Sequence, residues 1–389
     1  MRYTPTSSLL AAALVAAASA LYAQQPPLRV AVTNELDTAR ADETAELSLA
    51  ALTGAFRAED LPRVQVTEVG SNRRLLAQAV DSDGDGAFDQ LVFQATFGPR
   101  SARTFDLSLG DRVPPRKQDF RVYGRFVRER FDDFAWENDR VAHRVYGPAL
   151  ETWQKEPLTS SGVDVWVKST RALVVNDWYM VDDYHVDHGE GGDFYSAGPS
   201  RGCGGSGIWN DGRLLVSRNF RSSRVLANGP IRLVFELEYA PWDGGGVTVS
   251  ERKRVILDAG SHFNRFESRY SFGGAAEITW AAGIKRAKTA DVRVAREPGI
   301  VRTWEPFKEP NGHLGCAVVA DPARLTATGE ADGNVLLIGK AKAEQPVVYY
   351  VGSGWDKSGD ISSAAAWDGL VDDQARRLRS PLKIEILPR

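Results

Sequence analysis

The sequence predicts an all-β fold, most simply an antiparallel β-sandwich with few helices, and three observations support this class. Glycine and proline, with 36 and 19 residues, interrupt the chain at short intervals throughout its length. The segments between them are rich in β-branched and aromatic residues, and several alternate in polarity as half-buried strands do. Only two segments have a convincing helical pattern.

The clearest strand is IRLVFELEY, residues 231–239, because large apolar side chains recur at every second position. The opposite face of this segment carries mostly charged residues. Five further segments have the composition of strands, namely VDVWVKS, ALVVNDWYM, RKRVILD, NVLLIGKA and PVVYYVG. A short helix is predicted at PALETWQ, and a longer one at SSAAAWDGLVDDQARRL, which a proline follows.

Residues 1–23 have the pattern of a secretory signal peptide, with a basic residue, a short apolar run and small residues at the cleavage positions. No later stretch approaches the roughly 20 apolar residues that a membrane span needs. We therefore expect an exported chain, periplasmic or secreted, without a membrane span. Residues 24–112 are predicted to form an N-terminal β-sandwich region. Residues 113–389 are predicted to form a large β-sandwich that carries the active site.

The charge balance argues against a nucleic-acid partner. The chain has 48 basic and 51 acidic residues, a formal net charge of −3, and no basic run that would follow a phosphate backbone. Two cysteines, Cys203 and Cys316, could pair in an oxidising compartment, but sequence does not give their separation, so the disulfide is left open.

An acidic loop in the N-terminal region resembles a calcium-binding loop. DSDGDGAFDQLVF places Asp81, Asp83, Asp85 and Asp89 at loop positions 1, 3, 5 and 9. Position 12, where a bidentate glutamate is expected, is Val92. The alternative is a solvated turn that needs no ion. We expect at most a structural calcium here and no organic cofactor anywhere in the chain.

The main candidate for chemistry is the loop YHVDHGEGGDFYSAGPSRGCGG, residues 184–205. Tyr184, His185, His188, Glu190 and Asp193 lie within ten residues, and such groups move protons near neutral pH once their neighbours tune them. Two histidines and a carboxylate would also suit a transition metal. The third interpretation is a polar, glycine-rich loop whose histidines only hydrogen-bond to backbone.

Arg201 lies in the same loop, within GPSRGCGG. Flanking glycines let the backbone approach a ligand, and a planar guanidinium can hold a carboxylate through two hydrogen bonds. The alternative is an ordinary surface arginine.

Two further stretches supply candidate substrate-binding residues. FDDFAWENDRVAHRVY contains Trp136, Glu137, Asn138 and Arg140, and its tryptophan could stack on a sugar ring. His143 alternates with valines in this stretch, so we predict that it is buried.

YYVGSGWDKSGD contains Trp355 and Lys357 in a tight turn, which could form part of a binding cleft. The chain has no nucleophile elbow, P-loop or dinucleotide fingerprint.

Four stretches resemble a family of exported bacterial proteins known as a domain of unknown function: DGDGAFDQLVFQ, DDFAWENDRVAHRVYGPALE, YHVDHGEGGDFYSAGPSRGCGG and YYVGSGWDKSGD. Genes of this family are frequent in polysaccharide-utilisation loci. The resemblance covers essentially the whole mature chain and implies a galactose-mutarotase-like β-sandwich. It also implies an oligosaccharide substrate, because a relative acts as a dehydratase on ulvan oligosaccharides. Fold kinship alone does not fix the reaction.

Together, residues and resemblance predict elimination on a uronic-acid oligosaccharide. Arg201, with help from Arg140 or Asn138, would neutralise the carboxylate. His185 or His188 would be the base.

Tyr184 would be the acid in this scheme. A glycoside hydrolase would instead use Glu137 with Glu190 or Asp193 as a carboxylate pair. A non-catalytic carbohydrate-binding protein is the third possibility, which explains the aromatic residues but not the histidines.

Overall fold

A computed structural model describes residues 26–388 apart from residues 53 and 156. The predicted signal peptide lies outside these residues. The described chain folds into five sheets in which every paired strand is antiparallel, with two α-helices, so the predicted all-β class is confirmed. Within this part of the chain no helix is long and apolar enough to cross a membrane.

The N-terminal sandwich consists of two sheets around their own hydrophobic core. Its strands are β1 (Leu28–Asn34), β2 (Arg40–Ser48), β3 (Val64–Glu68), β4 (Arg74–Leu75), β5 (Ala77–Val80), β6 (Gln90–Phe97), β7 (Ser101–Leu109) and β26 (Lys383–Ile386). The first sheet has the order β26-β1-β7-β3-β4, and the second has the order β2-β6-β5. The last strand of the chain thus pairs with the first, an arrangement that the division at residue 112 did not include.

The large sandwich contains three sheets that share one core. A five-stranded sheet, ordered β12-β11-β10-β9-β8, uses β8 (Val122–Val127), β9 (Asp133–Asn138), β10 (Ala142–Val145), β11 (Asp164–Lys168) and β12 (Gly191–Gly192). We call it the motif sheet, because its strand β9 carries the candidate residues Trp136, Glu137 and Asn138.

The other two sheets complete this sandwich. The second five-stranded sheet has the order β14-β13-β19-β24-β23, with β13 (Cys203–Asn210), β14 (Arg213–Leu215), β19 (Ile278–Lys285), β23 (Leu325–Ala331) and β24 (Asn334–Ala341). The eight-stranded sheet has the order β15-β16-β17-β18-β25-β22-β21-β20. Its strands are β15 (Ser222–Asn228), β16 (Arg232–Asp243), β17 (Thr248–Asp258), β18 (Phe263–Phe272), β20 (Asp291–Ala295), β21 (Ile300–Pro306), β22 (His313–Ala320) and β25 (Pro346–Trp355).

The strand predicted most firmly has the expected faces. Leu233, Phe235, Leu237 and Tyr239 of β16 all point into the core of the large sandwich. Arg232, on the other face, pairs with Asp258 at 2.7 Å. The alternation in sequence therefore separates an apolar face in the core from a face that is also buried but carries the charged Arg232 and Glu236.

The prediction for ALVVNDWYM is wrong, because this segment contains α1 (Val175–Val181) rather than a strand. Both carboxylate oxygens of Glu137 accept hydrogen bonds from this helix start, Oε2 from the Val174 amide at 2.9 Å and Oε1 from the Val175 amide at 2.7 Å. This cap satisfies amides that a helix leaves free and outweighs the β propensity of the valines. The predicted helix at PALETWQ is a 3₁₀ turn, Pro148–Thr152.

Both cysteines are buried free thiols. Cys203 begins β13, and its thiol donates to the Gly352 carbonyl at 3.2 Å.

The second helix, α2 (Ala364–Arg379), confirms the longer helical prediction and packs against the outer face of the eight-stranded sheet. Ser363 caps its start, since the Ser363 side chain accepts from the Ala366 amide at 3.2 Å. Trp367 is fully buried and stacks on Phe263 with ring centroids 6.0 Å apart. Little space surrounds this ring, because a Cβ at Gly315 would meet it at 2.6 Å.

Replacing Trp367 with alanine should destabilise the protein by about 3–5 kcal/mol, the usual cost of emptying a large aromatic site. Denaturant unfolding measures the change. Ala365→Ser, an exposed position on the same helix, is the control and should stay within about 0.5 kcal/mol. A loss below about 1 kcal/mol for Trp367→Ala would contradict the packing described.

Candidate functional site

The two faces of the motif sheet have different roles. One face, with Phe134, Trp136 and Val165, belongs to the core of the large sandwich. The opposite face, with Ala142 and Trp166, is covered by α1 and by the loop that follows it. We call residues 184–205 the histidine loop. Helix α1 and Tyr184, the first residue of this loop, cover the outer face of the sheet, and we call this covering segment the roof.

Arg144 lies under this roof and binds three aspartates. Its Nε is 2.9 Å from Asp164 Oδ2, its Nη2 is 2.9 Å from Asp193 Oδ2, and its Nη1 is 3.8 Å from Asp133 Oδ2. All four side chains are at most 10% exposed. We call these four residues the Arg144 cluster.

Aromatic side chains enclose the cluster. The guanidinium carbon of Arg144 lies 5.5 Å from the ring centre of Tyr146, 5.7 Å from that of Trp166 and 5.8 Å from that of Tyr184. The Tyr146 hydroxyl also donates to Asp164 at 3.0 Å. Because water is largely excluded, the charge interactions here are stronger than at the surface.

Burial opposes the ionisation of two of the three carboxyl groups, although Arg144 and, at longer range, Arg130 favour it. Burial raises the pKa of Asp133 to about 7, although Arg144 opposes this. Burial and the neighbouring Asp164 raise the pKa of Asp193 well above its usual range. These directions follow from the desolvation of charge in a low-dielectric environment.

Several polar atoms in the cluster lack a well-formed hydrogen bond. Among the described residues these include Oδ1 of Asp193 and the hydroxyls of Tyr179 and Tyr184. Burial raises the pKa of Tyr184, so its hydroxyl stays protonated at neutral pH. The Tyr184 hydroxyl is nevertheless hidden beneath the roof, where a sugar has no access in this arrangement.

His185 connects the buried cluster to the surface. Its Nδ1 lies 3.1 Å from the Asp193 carbonyl and 3.7 Å from Asp193 Oδ2, while its side chain is 61% exposed. A hydrogen bond at Nδ1 leaves Nε2 as the nitrogen available for proton transfer. The more distant His188 pairs with Asp183 at 3.0 Å, where both side chains are exposed.

Arg130 provides a positive charge beside Tyr184. Its guanidinium carbon lies 5.4 Å from the ring centre of Phe131, 5.6 Å from that of Trp153 and 5.6 Å from that of Tyr184. Within the described part of the chain Arg130 forms no ion pair. Cation–π contacts hold the group in place, and its charge also acts at longer range on Asp133 and Asp193.

The backbone next to Arg130 is strained. Phe131 and Asp132 both have positive φ, 51° and 63°. Two consecutive non-glycine residues in this region are unusual, and such strain is often found at functional sites. The consequence here is a sharp turn that presents Arg130 above Tyr184.

Arg201 lies elsewhere, in the interior of the large sandwich. Its Nη1 donates to Ser161 Oγ at 2.9 Å and to the Ser206 carbonyl at 3.0 Å. The flanking glycine serves chain packing, since a Cβ at Gly202 would meet the Val163 carbonyl at 2.0 Å. With 1% of its surface exposed, Arg201 is out of reach of a uronate bound at the histidine loop.

Trp136, Glu137 and Asn138 are all completely buried. The Trp136 Nε1 donates to Asn264 at 2.8 Å, so the ring is part of the core and offers no platform for a sugar. The amide nitrogen of Asn138 donates to the Ser261 carbonyl at 2.7 Å.

Glu137 forms a fully buried ion pair with Lys168 at 2.6 Å in addition to capping α1. These bonds occupy both of its carboxylate oxygens, so Glu137 has a structural role in this arrangement. His143 is buried as predicted, and burial lowers its pKa to about 3.

Arg140 joins a separate charged group around Asp360. Arg140 and Arg171 each lie 2.6 Å from Asp360 Oδ1, and His262 Nε2 lies 3.3 Å from Asp360 Oδ2. A cleft of about 500 Å³ beside α2 borders this group.

The other predicted binding residues are dispersed. Trp355 is buried, and its Nε1 donates to the Asn311 carbonyl at 2.7 Å. The exposed Lys357 hydrogen-bonds to the Pro310 carbonyl. Glu190 accepts from Trp178 Nε1 at 3.4 Å.

The acidic loop brings three of its four aspartates together. One carboxylate oxygen each of Asp81, Asp83 and Asp85 lie within 4.8 Å of one another. Asp89 is instead bonded to the backbone and hydroxyl of Ser82, at 3.0 and 2.7 Å.

Three carboxylates are suitable oxygen donors for calcium, though fewer than the six to eight that the ion takes. Val92, at the twelfth position of the loop, is buried against Ile231 and Val234 of the large sandwich. A structural calcium therefore remains our proposal, with water completing the shell. The two loop histidines bond different residues, His185 the Asp193 carbonyl and His188 the Asp183 carboxylate, which does not favour a metal site between them.

Sequence reasoning missed Arg130, Arg144, Asp133 and Asp164. A signal existed for one pair, because Arg144 and Asp164 are direct cross-strand partners. Register between strands 20 residues apart is not visible in a single sequence. The strained turn at Phe131 carries no glycine or asparagine that would reveal it.

The architecture also occurs in two larger solved structures. Over 93% of its length the chain superposes on an alpha-mannosidase from Enterococcus faecalis V583, with a TM-score of 0.50 and 10% identity. The same values hold for a protein in glycosyl hydrolase family 38 from Enterococcus faecalis. The chain spans 46% and 48% of those two chains, about half of each. At this identity the likeness shows the fold alone.

The chain belongs to the family described as domain of unknown function (DUF4861), whose model matches residues 32–384. It is 34% identical over 374 residues to uncharacterized protein P7 of Formosa agariphila, which covers 92% of this chain and 93% of that protein. The predicted membership of a family of unknown function is thereby confirmed. The genomic setting and the galactose-mutarotase kinship stay predictions.

The pKa of Asp133 predicts a specific pH dependence of stability. The unfolded chain releases this proton near pH 4, whereas the folded state holds it up to about pH 7. The contribution of Asp133 to the free energy of unfolding is therefore fully present below about pH 4 and is lost as the pH rises through about 7. Asp133→Asn stays neutral, so its melting temperature should gain on the wild type between pH 5 and 8. The control is Asp211→Asn, in an exposed turn, whose melting temperature should change with pH as that of the wild type does. A melting temperature of Asp133→Asn that runs parallel to that of the wild type between pH 5 and 8 would contradict the raised pKa.

A calcium ion in the acidic loop should raise the melting temperature. An ion that binds only the folded state adds about 2.7 kcal/mol at a hundredfold excess over its dissociation constant. Calcium titration after chelation, followed by thermal unfolding, measures this. The melting temperature of the double variant Asp83→Asn, Asp85→Asn should not change with calcium. The same melting temperature with calcium and with chelator would remove the proposal.

Proposed function

We propose that this chain is a carbohydrate-active enzyme that acts on uronic-acid-containing oligosaccharides by elimination, as a lyase or dehydratase. One observation carries the proposal: the Arg130 guanidinium, which forms no ion pair within 4 Å among the described residues, and the exposed His185, whose Nδ1 is bonded to the Asp193 carbonyl, each contact the ring of Tyr184. A cation and a base at one surface position are what elimination beside a uronate needs.

The carbohydrate part of this proposal has independent support. Both fold neighbours are described as enzymes of glycoside chemistry, an alpha-mannosidase and a glycosyl hydrolase family 38 protein. The predicted signal peptide agrees with a polysaccharide-derived substrate met in the periplasm or outside the cell. These points favour a sugar substrate, but they do not indicate the reaction, which has to be inferred from the residues of the site.

Arg130 would bind the uronate carboxylate. Placing a positive charge there stabilises the negative charge that develops when the neighbouring carbon loses its proton. Its three aromatic neighbours also offer an apolar surface for a sugar ring, and Trp153 and Phe131 are both partly exposed. This role replaces the one predicted for Arg201.

His185 would act as both base and acid. Its Nε2 takes the proton from the carbon beside the carboxylate, the carbon–oxygen bond at the next carbon breaks, and a carbon–carbon double bond forms. The imidazolium then returns the proton to the leaving oxygen on the same face of the sugar. The Asp193 backbone carbonyl would orient the ring through its hydrogen bond with Nδ1.

This assignment differs from the predicted one at Tyr184. The Tyr184 hydroxyl faces the Arg144 cluster rather than solvent, so the acid role passes to His185. Tyr184 instead supports the site, with its ring 4.7 Å from that of His185.

Hydrolysis by the predicted carboxylate pairs is less well supported. Glu137 is committed to Lys168 and α1, and Asp193 is committed to Arg144. The three aspartates of the cluster converge on one guanidinium, whereas a glycosidase places two carboxyl groups on opposite sides of a cleft.

The reaction class can be tested with pectic and ulvan-type oligosaccharides. Elimination creates a double bond conjugated to the carboxylate, so absorbance in the ultraviolet should rise. Dehydration of an unsaturated end should change existing absorbance and give a product lighter by one water. Products heavier by one water without a chromophore would contradict elimination, and binding without turnover would favour a carbohydrate-binding protein.

Variants test the residue roles on whichever uronate is turned over. His185→Ala should lower kcat by about 10²–10⁴-fold, the usual contribution of one general acid or base. Arg130→Met should lower kcat/KM on uronates, because the carboxylate loses its counter-charge.

His188→Ala is the matched control, since it removes an imidazole of the same loop that pairs only with Asp183. It should keep near-normal turnover. Equal losses in His185→Ala and His188→Ala, or full activity in both, would contradict the assignment of His185.

A further inference from the structure

Two cysteines face each other across the core of the large sandwich. Cys203 begins β13 and Cys316 lies within β22, and both side chains belong to the core of this sandwich. At most 1% of either residue is exposed. They are the only two cysteines of the chain, so a disulfide within one molecule can join no other pair.

The two thiols are in direct contact. The side chain of Cys316 forms a hydrogen bond with that of Cys203. The Cys203 thiol donates its own proton to the Gly352 carbonyl at 3.2 Å, so its sulfur is the acceptor for the Cys316 thiol. A hydrogen bond between two thiols leaves no other atom between the sulfurs. Closing a sulfur–sulfur bond therefore requires only a short movement of the two side chains.

Glycine explains how the two sheets come so close at this point. Facing sheets usually lie about 10 Å apart, whereas a disulfide needs Cα atoms about 4.4–6.8 Å apart. Strand β13 approaches both β22 and β25 with Cα–Cα distances of 8 Å or less. Gly204, the residue after Cys203, permits this approach, because a Cβ at Gly204 would meet Val351 Cγ2 of β25 at 2.4 Å.

The buried thiols react slowly once the protein has folded. Burial raises the pKa of the Cys316 thiol well above its usual range, so this thiol stays protonated at neutral pH. The thiolate is the form that attacks a disulfide, and an oxidant also needs access to the sulfur. A bond between the two cysteines therefore forms during folding, before the core closes over them.

We propose that Cys203 and Cys316 form a structural disulfide in the exported protein, which ties the end of the histidine loop to the eight-stranded sheet. The predicted signal peptide would bring the chain into an oxidising compartment, where such bonds persist. This proposal does not rest on the proposed elimination reaction.

The oxidant is a second disulfide, either that of a thiol–disulfide oxidoreductase or glutathione disulfide. The thiolate of one cysteine attacks this disulfide, forms a mixed disulfide and releases one thiol. The other cysteine then attacks the mixed disulfide, which forms the bond within the chain and releases the second thiol. The two cysteines thus lose two protons and two electrons, and the oxidant becomes two thiols.

Refolding under two redox conditions tests whether the bond forms. Protein that is unfolded, reduced and refolded with a mixture of reduced and oxidised glutathione should be lighter by two hydrogen atoms than protein refolded with a reductant. After unfolding, iodoacetamide should label neither cysteine in the first sample and both in the second. Labelled cysteines, glutathione adducts or disulfide-linked dimers in the first sample would overturn the proposal.

Thermal unfolding tests whether the bond is structural. A cross-link between residues 203 and 316 closes a long loop and so restricts the unfolded chain. The melting temperature of the oxidised protein should therefore exceed that of the reduced protein by roughly 4–8 °C. An equal or lower melting temperature of the oxidised protein would overturn the proposal.

Cys316→Ala is the matched control, because it removes one sulfur and keeps Cys203. Its melting temperature should be the same after refolding with glutathione and with reductant. Cys203→Ala serves the same purpose if Cys316→Ala does not fold. A difference in either variant as large as that of the wild type would show that glutathione acts elsewhere, and this result would overturn the proposal.

Discussion

The ion pairing of Arg144 is the constraint on which the candidate site depends. Its guanidinium holds Asp133, Asp164 and Asp193, which come from the start of β9, the start of β11 and the residue after β12. Removing the guanidinium would leave three carboxylates buried without a counter-charge, and breaking even one buried pair typically costs about 3–5 kcal/mol. The ion pairs of Arg144 therefore connect three segments of the motif sheet, in addition to the apolar contacts under α1 and the Glu137 cap.

Asp193 connects the buried ion pairs of Arg144 to the exposed His185. Its side chain binds Arg144, while its backbone and carboxylate both face His185 Nδ1. A residue of the buried charge network thus also bonds an exposed imidazole through its backbone carbonyl. The strained turn at Phe131 and Asp132 places Arg130 over the ring of Tyr184, the residue before His185. Catalytic groups need such support, because small errors in position are costly to the rate.

The sequence predicted what depends on local pattern, such as the all-β class, the strand IRLVFELEY, the second helix and the burial of His143. The sequence-based predictions failed where contacts between residues distant in sequence determine the structure. The valine-rich segment before the histidine loop is helical because Glu137, distant in sequence, caps it. Arg201 was interpreted as a carboxylate-binding residue because glycines flank it. In the structure these glycines allow close packing of strands. Arg144 escaped notice because its three partners come together only through sheet register.

The most direct test of the account is a crystal structure of the inactive His185→Ala variant with a uronic-acid oligosaccharide bound. The account predicts the uronate carboxylate on the guanidinium of Arg130. It also predicts the carbon beside that carboxylate at the position vacated by the imidazole, about 3–3.5 Å from where Nε2 would be. A sugar bound instead in the cleft beside Asp360, with Arg130 free of ligand, would contradict the central claim.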